Sequence, residues 1–295
     1  MSMTLTFFDD VKKFHENVFE TLKVHEAQNL IILGNLITGY EGKDTFGWRD
    51  PAAWVMATVS SKGAIRLVAL MTPPFGLTLY AVDNAVEADA LKCLSDGLIA
   101  ADIAVPGVMT EKSLAQAFAE IYCGAKGLNY RTYMSLRIYQ LTDVNPDVPK
   151  VGILRVAEER DLSFLPYWIE DFHRSAGVDN VADNVIKDDL EIYRYRLSRG
   201  RMHVLEVDGV AVSITQITRE LMSSAGVGLV YTPPYFRGRG YASAAVAQLS
   251  QKWLDKGFKR CVLYTDLSNP TSNSIYQKIG YVPIGDSLDI RFMED

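Results

Sequence analysis

Apolar and polar residues alternate through Ala53–Val59 (AWVMATV), Ala64–Met71 (AIRLVALM) and Leu77–Val82 (LTLYAV), the period-two signature of half-buried strands. The apolar run Asn29–Ile37 (NLIILGNLI) reads as a further strand. The spacing lengthens to the helical pattern over Glu87–Asp102 and Glu111–Gly127, and Tyr130–Leu141 (YRTYMSLRIYQL) returns to alternation. Beyond it, Gly152–Ala157 predicts a strand, Leu162–Ala176 and Ala182–Gly200 predict two helices, and Met202–Glu220 predicts two strands joined at Asp208-Gly209, a pair suited to a tight hairpin turn. A strand over Ala225–Thr232, a helix over Ala242–Gly257, a strand over Arg260–Asp266, a helix over Pro270–Gly280 and two short strands in Tyr281–Asp286 and Leu288–Glu294 complete the order.

One stretch interrupts these patterns. Thr142–Gly152 (TDVNPDVPKVG) sets two prolines among turn formers and reads as a linker. It predicts two domains, residues 1–145 with an α+β fold and residues 150–295 with a mixed α/β fold, and 295 residues suffice for two cores. Apolar residues at 48% and charged ones at 22% are ordinary for globular domains.

Charge narrows the partners. Lys and Arg number 30 against 36 for Asp and Glu, so the net charge of −6 disfavours nucleic acid and anionic membranes while leaving room for a local basic pocket. Cys93, Cys123 and Cys261 are odd in number and lack Cys-x-x-Cys spacing, which fits a reducing cytoplasm. His15, His25, His173 and His203 lack metal-ligand spacing, so no metal site is expected. The first residues lack the apolar core of a signal peptide and no run approaches the ~18 apolar residues needed to span a bilayer. The expectation is a soluble cytoplasmic protein.

The densest chemistry lies in Tyr235–Ala244 (YFRGRGYASA). Helical spacing of Ala242, Ala245, Val246, Leu249 and Trp253 begins there, with Lys256 and Gly257 closing the other end, so the two glycines sit at a helix N-terminus. Free N–H groups and the helix dipole favour an anion at such a point. Gly238 and Gly240 allow a phosphate to approach the backbone, and Arg237 and Arg239 add charge. The Walker pattern is absent, and the dinucleotide fingerprint fails because Ser243 stands where its third glycine belongs.

What remains, Arg-x-x-Gly-x-Ala over Arg237–Ala242, resembles the acyl-CoA pyrophosphate loop of the GCN5-related N-acetyltransferase (GNAT) superfamily. That family also places a strand before the loop and, about thirty residues later, an Asn before a helix that carries a Tyr and ends in Gly-Tyr or Gly-Phe. Here DLSNPTSNSIYQKIGY stands at that place. Asn269 is also a good N-cap with Pro270 at the first helical position, which accounts for those two residues but not for Tyr276. The resemblance covers about residues 150–295 and implies a central mixed, mostly antiparallel sheet flanked by helices. Residues 1–145 share no motif with it, although their strand and helix content is compatible with a degenerate copy of the same fold.

The resemblance implies an N-acetyltransferase with acetyl-CoA as co-substrate and a small-molecule or peptide amine as acceptor. Gly226 and Gly228 interrupt the strand before the loop, where the family's strand splays and takes the pantetheine arm along its edge. It implies backbone contacts at Val230 and Thr232, Leu229 near the thioester oxygen, and the turn Arg237, Gly238, Arg239, Gly240, Tyr241 and Ala242 around the pyrophosphate. It also implies Asn269 and Asn273 beside the cofactor, and Tyr276 as donor of a proton to the leaving thiolate.

The base is not legible. Glu206, Glu220 and Asp266 qualify by position, a capping or solvated role fits each, and a water relay serves as well. The acidic balance leans towards a cationic amine, and Trp48, Trp168 and Phe172 are candidate cleft aromatics. A non-catalytic acyl-CoA-binding protein is the rival reading, and oligomeric state is not legible.

Overall fold

The computed structural model describes residues 2–42, 50–82, 85–176 and 190–294. Trp48 and residues 182–189 of the expected helix Ala182–Gly200 lie outside them. The chain forms two compact units, one of Met1–Arg137, Asp266–Ser268 and Gly285–Asp295, the other of Ile138–Thr265 and Asn269–Ile284. The division is therefore not a single cut at 145–150.

The first unit contains β1 (Thr4–Phe8), α1 (Val11–Lys23), α2 (Leu30–Glu41), β2 (Val55–Ser61), β3 (Ala64–Met71), β4 (Leu77–Ala81), α3 (Ala88–Ala100), β5 (Gly107–Glu111) and α4 (Lys112–Lys126). Its sheet runs β1-β2-β3-β4-β5 and ends on β12 (Val282–Met293), antiparallel to β5 from Ser287↔Glu111 to Arg291↔Gly107. Leu67, Leu79, Leu94, Phe118 and Ile290 are buried together in its core.

Two sequence expectations fail here. The run Asn29–Ile37 is not a strand but most of α2, which buries Leu30, Ile32, Leu33 and Leu36 and ends on Gly42 at φ 62. A continuous apolar run carries no period, so a buried helix and a buried strand read alike. The expected pair of short strands at the C-terminus is a single strand, β12. Gly285-Asp286-Ser287 looks like a turn, yet Asp286 is held by Arg137 at 2.8 and 3.0 Å and Ser287 Oγ donates to Thr110 O at 2.7 Å. Tertiary partners take the side chains that would otherwise favour a turn.

The second unit contains β7 (Ile153–Val156), α5 (Leu165–Ser175), α6 (Leu190–Ser198), β8 (Met202–Val207), β9 (Val210–Glu220), β10 (Ser224–Tyr231), α7 (Tyr241–Asp255), β11 (Arg260–Asp266) and α8 (Pro270–Ile279). Its sheet runs β7-β8-β9-β10-β11 and continues to β6 (Asn129–Leu141), whose last residues, from Ile138, belong to this unit. Asp208 (φ 51) and Gly209 (φ 76) make the β8-β9 turn in the left-handed conformation that a two-residue hairpin of matching twist requires. Val246, Leu249 and Trp253 of α7 pack with Leu263, Tyr276 and Ile279, while Leu165 and Ile169 of α5 pack with Leu229 and Tyr231 of β10. Strand β10 thus carries helices on both faces.

Candidate active site

Strand β10 is irregular at the place where the site is expected. Its parallel pairing with β11 covers only Ser224–Gly226, so Val227–Tyr231 run on without β11 beside them. On its other edge the antiparallel register with β9 slips twice, between Gly226 and Val227 and again between Gly228 and Tyr231. In the second slip Leu229 and Val230 stand against one β9 residue, Thr215, a bulge that disrupts the ladder locally. Leu229 adopts φ 49, unfavourable for a branched side chain, and is held there by burial against Leu165 and Ile169. A Cβ on Gly228 would lie 2.7 Å from Thr218 Cγ2, so a larger residue there would have to displace that side chain.

After Tyr231 the chain turns through Pro234–Phe236 into the glycine pair. Gly238 (φ 76) and Gly240 (φ 78) are both left-handed, and a Cβ on either would meet nothing within 4 Å. The left-handed backbone accounts for glycine at both positions, and the open space beside them leaves room for a group to approach the backbone N–H groups. Gly240 is the N-cap of α7 and no side chain caps that helix, so its first N–H groups are free of the usual side-chain acceptor. Arg239 is exposed, with Cζ 5.2 Å from the Tyr235 ring centroid. Arg237 turns back instead. Its Nε donates to Thr232 O at 2.9 Å, which braces the loop. Tyr241 and Ala242 form the first turn of α7, and Val230 lies on the stretch of β10 that β11 leaves open. These residues do come together as one strand-to-helix element.

Helix α8 brings the second group. Asn269 caps it, accepting from Ser272 N at 3.0 Å. Asn273 is committed as well, donating to Asn269 O at 2.8 Å and accepting from Tyr139 Oη at 3.2 Å. Tyr276 differs from both. It is 7% exposed, its hydroxyl has no hydrogen-bond partner among the described residues, and burial pushes its pKa up to about 12. Burial keeps this phenol neutral, so its O–H remains able to donate.

None of the three candidate bases is free. Glu206 binds Arg155 at 2.9 Å, and that guanidinium holds its carboxyl below the ordinary range. Burial would raise Glu220, but the Trp253 indole at 3.0 Å and Arg201 at 2.6 Å outweigh it and bring it below the ordinary range. Asp266 accepts from Ser268 N and Oγ at 2.8 and 2.7 Å, which is a turn cap. What the sequence did not reveal is Asp171 of α5, whose Oδ2 accepts a hydrogen bond from Tyr231 Oη, with Trp168 on the same helix 6.2 Å from the Tyr231 ring. Asp171 and Tyr231 are sixty residues apart in the chain, so no local pattern could have joined them.

Residues 214–288, which span the bulge, the glycine turn and α8, match a family model described as FR47-like protein. Solved structures resemble the chain over its length. An acetyltransferase from the GNAT family of Colwellia psychrerythraea is 12% identical over 99% of this chain and 100% of its own, with a TM-score of 0.59. A GCN5-related N-acetyltransferase from Sphaerobacter thermophilus is 13% identical over 99% and 96%, with a TM-score of 0.62. The chain has the fold of the GCN5-related N-acetyltransferases. A tandem GNAT protein from the clavulanic acid biosynthesis pathway covers 99% of this chain and 98% of its own at 11% identity, with a TM-score of 0.54. No curated protein matches.

The acetyltransferase element order β-α-α-β-β-β-α-β-α occurs in each unit, in β1 to α4 and again in β7 to α8. The two differ where chemistry is expected. In the first unit β4 pairs with β3 without a slip from Leu67↔Ala81 to Met71↔Leu77, and α3 starts with Glu87 at its cap and Asp89 in its first turn. Glu87 is paired with Arg66, and Asp89 puts an acidic side chain in a first turn where α7 has none. Among the described residues no cluster of three or more His, Cys, Asp or Glu could hold a metal, and no helix is long and apolar enough to cross a membrane.

Proposed function

We propose that the chain is an acyl-CoA-dependent N-acyltransferase that moves an acetyl group from acetyl-CoA to an amine by direct attack in a ternary complex. The observation that carries this reading is a bulged, half-unpaired strand running straight into a left-handed glycine turn at an uncapped helix N-terminus. The pyrophosphate sits on the N–H groups of Gly238–Ala242 with Arg239 beside it, and the pantetheine arm adds to the open edge of β10 at Val230 and Thr232. The Leu229 N–H stabilises the developing oxyanion. The neutral amine forms the C–N bond with its lone pair as C–S breaks, sulfur leaves with its electron pair and takes a proton from Tyr276, the nitrogen gives up a proton to water, and solvent returns one to the phenolate. The acceptor is a small-molecule or peptide amine, and the three free cysteines suit a cytoplasmic setting.

The test is titration with acetyl-CoA followed by an assay of CoA release against a panel of amines. Saturable binding together with amine-dependent release supports the reading, and failure to bind acetyl-CoA at millimolar concentration refutes it. A non-catalytic acyl-CoA binder is the second reading, favoured by the commitment of Glu206 and Glu220 to ion pairs. Binding without release from any amine in the panel would select it.

A further inference from the structure

We propose that Asp171, tied to the end of β10 by Tyr231 and flanked on α5 by Trp168 and Phe172, anchors the ammonium group of the acceptor, which makes a cationic amine the substrate class. This rests on the transferase reading above.

Trp168, Asp171 and Phe172 are spaced three and four residues apart, so they share one face of α5. Leu165 and Ile169 dock that helix on Leu229 and Tyr231, which brings the shared face to the strand end immediately past the bulge. The Tyr231 phenol donates to Asp171 Oδ2. Burial first, and the carboxylate next, push that phenol up to about 12, so it stays a donor at neutral pH and does not neutralise its partner. An ionised carboxylate offers about four acceptor sites and Tyr231 uses one.

The other claim on Asp171 is weak. Arg174 lies 3.8 Å from Oδ1 but is 70% exposed and also bound to Glu170 at 2.9 Å, so water screens it and its charge is shared. The Asp171 side chain is itself 43% exposed. Arg237 Cζ already lies 5.9 Å from the Tyr231 ring centroid, so the half-open carboxylate and Trp168 are what remain to attract an ammonium group and repel a carboxylate.

The test uses the full chain loaded with CoA, titrated calorimetrically with benzylamine and with benzyl alcohol, its neutral counterpart. Benzylamine should bind at least ~10-fold more tightly than the alcohol, and Asp171→Asn should erase most of that margin while CoA affinity and melting temperature hold. Tyr231→Phe, which frees the carboxylate from its brace, should weaken benzylamine by a smaller factor. Benzylamine binding no tighter than the alcohol, or equal binding by Asp171→Asn, overturns the inference. Transfer is not read in this experiment. A chain that binds benzylamine through Asp171 but never releases CoA keeps the inference and loses the transferase reading.

Discussion

Tyr276 and Tyr281 have ring centroids 6.0 Å apart and are 7% and 2% exposed, yet their hydroxyls predict opposite consequences of removal. Tyr281 Oη shares a hydrogen bond of 2.8 Å with Ser250 Oγ, whereas Tyr276 Oη has no partner among the described residues. Tyr281→Phe therefore deletes a buried hydrogen bond and should cost about 1 kcal/mol, a fall of about 2–4 °C in melting temperature for a chain this size. Tyr276→Phe deletes no bond, so its stability should stay within about 0.5 kcal/mol of the parent.

Turnover should follow the reverse order. With the phenol at about 12 and a thiol near ~8.5, proton transfer to a free thiolate is uphill by about 3.5 pKa units, or about 5 kcal/mol. A thiolate expelled into the same water-poor place rises too, which narrows that gap and lets the proton move as the C–S bond breaks. Loss of a general acid costs ~100-fold or more, so Tyr276→Phe should lower kcat by at least that factor with the KM for acetyl-CoA nearly level. Urea unfolding of both variants and steady-state CoA release with an amine that supports turnover make the comparison. Full turnover in Tyr276→Phe, or a stability loss matching that of Tyr281→Phe, would refute the reasoning.

Gly240→Glu places a side chain and a negative charge in open space before α7, at φ 78, and should abolish acetyl-CoA binding while leaving most of the folding stability, as titration and urea unfolding will show. Calorimetry should give one acetyl-CoA per chain, because the first unit has Glu87 and Asp89 at the start of α3 and an unbroken β3-β4 register; two equivalent sites would contradict this. His203 is wholly buried, and burial, reinforced by Lys252 and Lys256, brings its pKa down to about 4. The unfolded chain takes up that proton below ~6.5 and the folded chain does not, so the stabilisation is complete above ~6.5 and lost as pH falls towards 4, by about 3 kcal/mol in full. Urea midpoints should drop between about pH 7 and pH 5, before the depressed carboxylates Glu206 and Glu220 titrate, and His203→Gln should flatten the drop; a level midpoint in the parent rejects it.

Legibility followed the range over which each feature is determined. The Asp208-Gly209 turn, the Asn269 cap and the glycine turn before α7 were readable because each depends on φ preferences and side chains within a few residues. Helix α2 was misread because a buried helix without a polar face loses its period, and β5 was missed because five residues after Pro106 give too short an alternation. The unity of β12 depends on Arg137 and Thr110, more than 140 residues earlier in the chain.

The same distinction divides the site. An anion is recognised by backbone N–H groups, which a run of consecutive residues supplies, so the proposed phosphate turn can be read from the sequence at Arg237–Ala242. An amine is recognised by side chains that must converge, and Asp171, Trp168 and Tyr231 meet only because Leu165 and Ile169 seat α5 on a strand that a bulge has already displaced. The bulge holds Leu229 at a costly φ, a strain that the neighbouring core offsets. In the first unit the same fold forms with a regular strand and an acidic helix start. The fold therefore does not require the bulge or the glycine turn, which leaves both free to serve the proposed acyl-CoA site.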